Sequence, residues 1–142
     1  MIQLIEQLEA IRHFAKDIHY HAHGGEFYSV HILMDRVAEG IVEQIDNIYE
    51  IGFLGKMNNA PKSADVLKIA SAYIPEIDDD TNENISRLLD LITTTINTIQ
   101  ELIGNDPAID NMLGNIAESL TQKRGLLWRQ IISPTPLGNY PA

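Results

Sequence analysis

Residues 31–50 read HILMDRVAEGIVEQIDNIYE. Apolar residues return every three or four positions, the repeat of a helix with one buried face. His31 and Asp35 stand four residues apart, as do Asp46 and Glu50. Four residues make about one helical turn, so each pair aims two side chains at one point. The two pairs are centred 15 residues apart, about 22 Å along a continuous helix, and no single ion spans that. A second copy of the helix resolves the difficulty. An antiparallel twin, related by a two-fold axis between the pairs, brings its own Asp46 and Glu50 opposite His31 and Asp35. Two identical metal sites then form about 22 Å apart, each built from two subunits. The spacing argues for a dimer as well as a metal.

Upstream, His19 would reach the same point from the end of a preceding helix. Taken singly, Asp35, Asp46 and Glu50 read as a solvated helix face, as Glu39 and Glu43 do, and His31 as a hydrogen-bonded interface histidine. The joint register of His19, His31, Asp35, Asp46 and Glu50 turns the reading toward metal. Imidazole and carboxylate oxygen suit iron, and also zinc and manganese.

Working outward, Leu4, Leu8, Ile11, Ala15 and Ile18 mark a first helix over about residues 2–21. Gly24 and Gly25 break it. The second helix is expected from about Glu26 to Leu54, with Phe27, Val30, Met34, Val37, Ile41, Ile45, Ile48 and Ile51 facing the core, and an end near Gly52 and Gly55. Residues 56–79 are long for a bare loop, and SADVLKIASAY within them reads as a short helix capped by Ser63. Asp80 and Glu83 have capping-box spacing. A third helix follows to about Ile103, using Ile85, Leu88, Leu89, Ile92, Ile96, Ile99 and Leu102, and Gly104 ends it. Asp106–Pro107 opens a fourth helix to about Ile132 as N-cap and first-turn proline. The expectation is an all-α fold: one four-helix bundle over residues 1–132, a long crossover holding a short extra helix between helices two and three, and an irregular tail over 133–142.

Composition narrows the function. Twenty acidic against ten basic residues give a formal charge of −10. DNA affinity rests on phosphate neutralisation by Lys and Arg, so direct DNA binding is not expected. Cysteine is absent, which removes disulfides and thiolate chemistry. The chain enters an amphipathic pattern at once, and no apolar run reaches the length of a membrane span. A cytoplasmic protein is expected.

The ligand pattern resembles the Dps family, small dodecameric ferritin relatives whose ferroxidase centres lie between two-fold-related subunits. Three segments carry the resemblance: IHYHAHGGEFYSVHILMD (18–35), EQIDNIYEIG (43–52) and NDPAIDNMLGNIAESL (105–120). It extends in order and length over most of residues 1–132 and is specific in 19–50. The resemblance implies a ferritin-like bundle and a homo-oligomer, a dodecamer of two-fold dimers. It also implies oxidation of Fe²⁺ by hydrogen peroxide or oxygen, with ferric mineral stored in a hollow shell. His19, His31 and Asp35 would come from one subunit, Asp46 and Glu50 from its partner. Classical ferritins use inward Glu-x-x-His pairs; this chain contains none.

Tyr20 stands where the family often has tryptophan, and reads first as a half-buried packing aromatic, with radical quenching beside the site as the alternative. His21 and His23 read as an accessory metal site or an exposed turn. His13 is assigned no role. By family position, Asp106, Asp110 and Glu118 are candidates for a cation entry pore, with helix capping as the alternative for Asp106. The lysine-rich arms with which some members bind DNA have no counterpart, and twelve copies would carry about −120 formal charges. Two other functions compete: a nucleoid-binding structural protein, disfavoured by charge, and a zinc-binding helical assembly without catalysis.

Overall fold

A computed structural model describes residues 1–132; the expected tail, 133–142, lies outside the described residues. Among the described residues the structure is helical throughout and contains no strand. The helices are α1 (Ile2–His21), α2 (Phe27–Ala38), α3 (Ile41–Asn47), α4 (Ser63–Tyr73), α5 (Thr81–Leu102) and α6 (Pro107–Ile131). A π-helical turn, Ile48–Phe53, and a 3₁₀ turn, Leu54–Lys56, follow α3.

The apolar periodicity of α1 does what it predicts. Leu4, Leu8, Ile11, Ala15 and Ile18 are buried, joined by Ile5 and Phe14. With Val30, Met34 and Val37 of α2, Ile85, Leu88 and Ile92 of α5, and Leu113, Ile116 and Leu120 of α6, they form one contiguous core. α1 packs against α2 on one side and α5 on another, and α6 lies against α5 and touches α2. The short α4 covers α1 through Val66 and Ala70. Among the described residues no helix is long and apolar enough to cross a membrane.

Helix boundaries follow local chemistry, with corrections. Asp80 caps α5, accepting from the backbone N–H of Asn82 and Glu83 at 2.9 and 3.4 Å. The capping box is only half made, because the Glu83 carboxylate pairs with Arg87 one turn on. Asp106 caps α6 through Ala108 and Ile109 N–H, with Pro107 in the first turn, as expected. Ser63 is not a cap: it is the first helical residue of α4, Lys62 holds the cap position, and no side-chain cap bond forms.

The largest departure is the second helix, expected as one rod from Glu26 to Leu54. Glu39 (φ −60°, ψ 134°) and Gly40 (φ 80°, ψ −8°) adopt the angles of a type II turn and divide it. That turn needs positive φ at its third residue, where glycine alone carries no Cβ penalty. The π-helical turn then displaces everything after Asn47 from regular α-helical phase. Two expected core residues lie outside the core for separate reasons: Phe27 is 40% exposed because it opens α2, and Ile51 is exposed in the π turn. The end of the column is also shifted, since the left-handed residue is Met57 (φ 59°), and not Gly52 or Gly55. The column nevertheless runs antiparallel to α1 along its length. His31 meets His19 near the end of α1, and Gly52 meets Met1 at its start, where a Cβ would come within 2.8 Å of Met1 Cε.

Candidate functional site

α1 and α2 are joined near their meeting ends by a reciprocal clasp. His19 Nδ1 lies 2.8 Å from the carbonyl oxygen of His31, and His31 Nδ1 lies 3.1 Å from the carbonyl oxygen of His19. The rings stack with centroids 3.5 Å apart and planes inclined by 19°. A carbonyl oxygen only accepts, so each imidazole donates its Nδ1–H. In the neutral form each therefore keeps its lone pair on Nε2. Neither Nε2 has a hydrogen-bond partner among the described residues. A backbone carbonyl on one nitrogen, fixing the tautomer and ring angle for the other, is the usual support of a metal-binding histidine.

Asp35 lies beside the clasp, its Oδ1 3.5 Å from His19 Nδ1. The same oxygen accepts from Lys16 Nζ at 2.7 Å. That hydrogen bond is the main reason the Asp35 carboxyl is held below its ordinary range, with smaller help from the nearby charges of His19, Lys16 and His31. Lys16 was not foreseen in the sequence. It sits three residues before His19 on α1, the spacing that puts two side chains on one helix face, and that signal would have found it.

Asp46 on α3 and Glu50 in the π turn are both exposed, and neither carboxylate has a partner among the described residues. The chain break at Gly40 separates them from the His31–Asp35 pair, and the π turn takes Glu50 out of α-helical register with Asp46. The separation of about 22 Å on one straight helix therefore does not carry over unchanged. Among the described residues of this single chain, no three His, Asp or Glu side chains gather to hold a metal ion.

The face bearing these residues is apolar at its edges. Tyr28 is 73% exposed, and Ile32 and Val42 are about half exposed. Between α1 and the α2–α3 column runs an open groove of about 590 Å³, lined by Arg12, Lys16, Ile32, Asp35, Arg36 and Val42 among others. Exposed large apolar side chains clustered about a polar groove are a common sign of an interaction surface.

The other histidines stand apart from the clasp. His21 Nδ1–H donates to the Asp17 carbonyl at 2.7 Å, and His23 Nδ1–H to the His21 carbonyl at 3.0 Å; both are exposed. They satisfy themselves locally in and after the last turn of α1. His13 lies 3.4 Å from Glu9 in a cluster with Arg12. Tyr20 was expected to be half-buried; it is 70% exposed, edge-on to His19. Of the expected pore residues, Asp106 pairs with Lys56 while capping α6, Asp110 accepts from Gly104 N–H, and Glu118 is exposed. The Lys56 contact, then the backbone N–H of Ile109, lower the Asp106 carboxyl below its ordinary range.

Comparison of the sequence with protein-family models and with curated proteins finds no match.

Proposed function

We propose that the protein is a Dps-like ferroxidase: a ferritin-like four-helix bundle that pairs about a two-fold axis, oxidises Fe²⁺ between subunits and assembles into an iron-storing shell. The observation that carries this reading is the His19–His31 clasp, which engages both Nδ1 atoms, leaves both Nε2 atoms without a partner among the described residues, and has the Asp35 carboxylate 3.5 Å from His19 Nδ1. The exposed apolar edge around Tyr28, Ile32 and Val42 supports a partner helix over the same face. That partner would contribute its own Asp46 and Glu50, which are exposed and have no partner among the described residues.

Iron is substrate here. Two Fe²⁺ ions each give up one electron to one hydrogen peroxide molecule. The O–O bond breaks, two protons are taken up, and two waters leave with two Fe³⁺. The hard anionic oxygens of Asp35, Asp46 and Glu50 favour the ferric product, while the neutral imidazoles hold the ferrous substrate. Net acidity draws cations toward such a surface.

The test is anaerobic Fe²⁺ loading followed by peroxide, comparing the natural protein with an Asp35→Ala, Asp46→Ala double variant by ferric absorbance. Fast oxidation lost by a hundredfold or more in the variant supports the proposal, being the scale on which removal of catalytic ligands acts. Equal slow oxidation in both removes the enzyme and leaves the zinc-binding assembly to be tried by zinc titration.

A further inference from the structure

The break at Glu39–Gly40 leaves the Glu39 carbonyl outside the helical ladder, and α6 supplies its partner. Lys123 is 5% exposed, and its ammonium donates to that oxygen at 2.6 Å. An ammonium has three hydrogens, and no second acceptor for it is found among the described residues. Lys123 also lines a cavity of about 210 Å³ between α2 and α6, together with Arg36, Glu39, Ser119, Gln122 and Leu126.

The charge arrangement in this cavity is unusual for such an acidic chain. Acidic residues outnumber basic ones two to one, yet Arg36 and Lys123 adjoin one another, and neither is in an ion pair among the described residues. Like charges brought together with one of them buried are destabilising unless something negative sits between them. The Glu39 carboxylate offsets part of this from the cavity rim without closing on either cation.

We propose that the cavity binds a small oxyanion of the phosphate class. The Arg36 guanidinium offers a fork of donors matched to two oxygens of a tetrahedral anion. Lys123 contributes its free N–H bonds from below, and the Ser119 hydroxyl and Gln122 amide complete a donor-rich wall. Two cations against one carboxylate leave a surplus of one positive charge, suited to inorganic phosphate and too small for a polyphosphate. At about 30 Å³ per water, the volume takes one such anion with a few waters. Its place at the break means that an occupant would bridge α6 to the turn that divides α2 from α3.

The protonation of Lys123 bears on this site. Burial, then the neighbouring Arg36 charge, bring its ammonium down to about 8, against the opposing pull of Glu39. A bound anion would restore the charged form, so uptake should weaken as pH rises above that value. Arg36 and Glu39 from the α2 side are the charged groups facing Lys123, while Ser119 and Gln122 on α6 do not titrate there.

The experiment is calorimetric titration of the full chain with inorganic phosphate at about pH 7 and again at about pH 9.5, with Arg36→Ala and Lys123→Met as variants. Saturable binding of one phosphate per chain is expected, competed by sulfate and not by chloride. Each variant should weaken it roughly tenfold or more, the scale of a lost charge-assisted hydrogen bond, and the higher pH should weaken it in the natural protein. Arg36 is exposed, so Arg36→Ala tests the site even if Lys123→Met fails to fold; circular dichroism checks both. Absence of saturable heat at millimolar phosphate, or binding unchanged in Arg36→Ala, overturns the proposal. No metal enters the experiment, so its outcome is separate from that of the ferrous oxidation test.

Discussion

At the scale of single residues, the 2.7 Å hydrogen bond from Lys16 to Asp35 is the largest influence on the charge of the candidate site's carboxylate. His19, His31 and Asp35 were visible as donors at helical spacing, and in the structure His19 contacts the His31 carbonyl at 2.8 Å and lies 3.5 Å from Asp35. Nothing in the sequence announces that each histidine would donate to the other's backbone carbonyl, because that depends on how closely α1 and α2 approach. Lys16 was missed for a related reason: a lysine is usually solvated, and only the packed geometry sets it at 2.7 Å from Asp35. The contact makes a definite prediction. Asp35 has a lowered folded-state pKa, so its contribution to stability is present above the ordinary carboxylate range and is lost as pH falls through the folded value. Lys16→Met should raise the Asp35 midpoint toward 3.8, the ordinary value, when followed by carbon-detected NMR. The stability difference between the two proteins should shrink as pH falls through 3.8 and disappear only below the lowered folded-state value of the natural protein. A midpoint unmoved by the substitution would show that the histidines, and not Lys16, set the charge of this carboxylate.

At the scale of elements, apolar periodicity was a dependable guide wherever the backbone stayed regular. The stripe of α1 was correct at every expected position, and that of α5 at Ile85, Leu88, Ile92, Ile96 and Ile99, while the expected Leu89 and Leu102 are only partly buried against the core. It failed at Phe27 and Ile51, where a helix begins and where a π turn rotates the chain out of phase. The division at Gly40 was hidden because glycine inside a periodic run is compatible with an unbroken helix, and the hydrophobic pattern continues across it. Gly40→Ala distinguishes the two conformations by sign. In a continuous helix the alanine would stabilise by about 0.5–1 kcal/mol. At φ 80° it should instead destabilise by about 1–2 kcal/mol, the cost of a left-handed L-residue. No atom lies near enough to the added Cβ to obscure the comparison. Urea denaturation of the two proteins reads the sign directly.

At the scale of the whole molecule, a helical fold was legible from the four long periodic stretches and their glycine and proline boundaries. Quaternary structure was argued from ligand spacing alone. That argument assumed a straight helix, and the turn at Gly40 alters the distance between its two halves. The proposed centre requires a second copy to supply Asp46 and Glu50, and Tyr28, Ile32 and Val42 are exposed apolar residues that such a copy could cover. A buried contact of a few such side chains at an interface centre carries much of its binding energy. A like-charged surface opposes close assembly at low salt, since each chain carries −10. Sedimentation velocity at micromolar protein should therefore show a species well above one 15.9 kDa chain, further populated as salt rises. Ile32→Glu places a charge on that face and should shift the distribution toward the single chain without lowering helicity, since Ile32 lies outside the core. A natural protein that sediments as one chain at all salt concentrations would deprive Asp46 and Glu50 of a partner site. The intersubunit centre would then fail, whatever the His19–His31 clasp can bind.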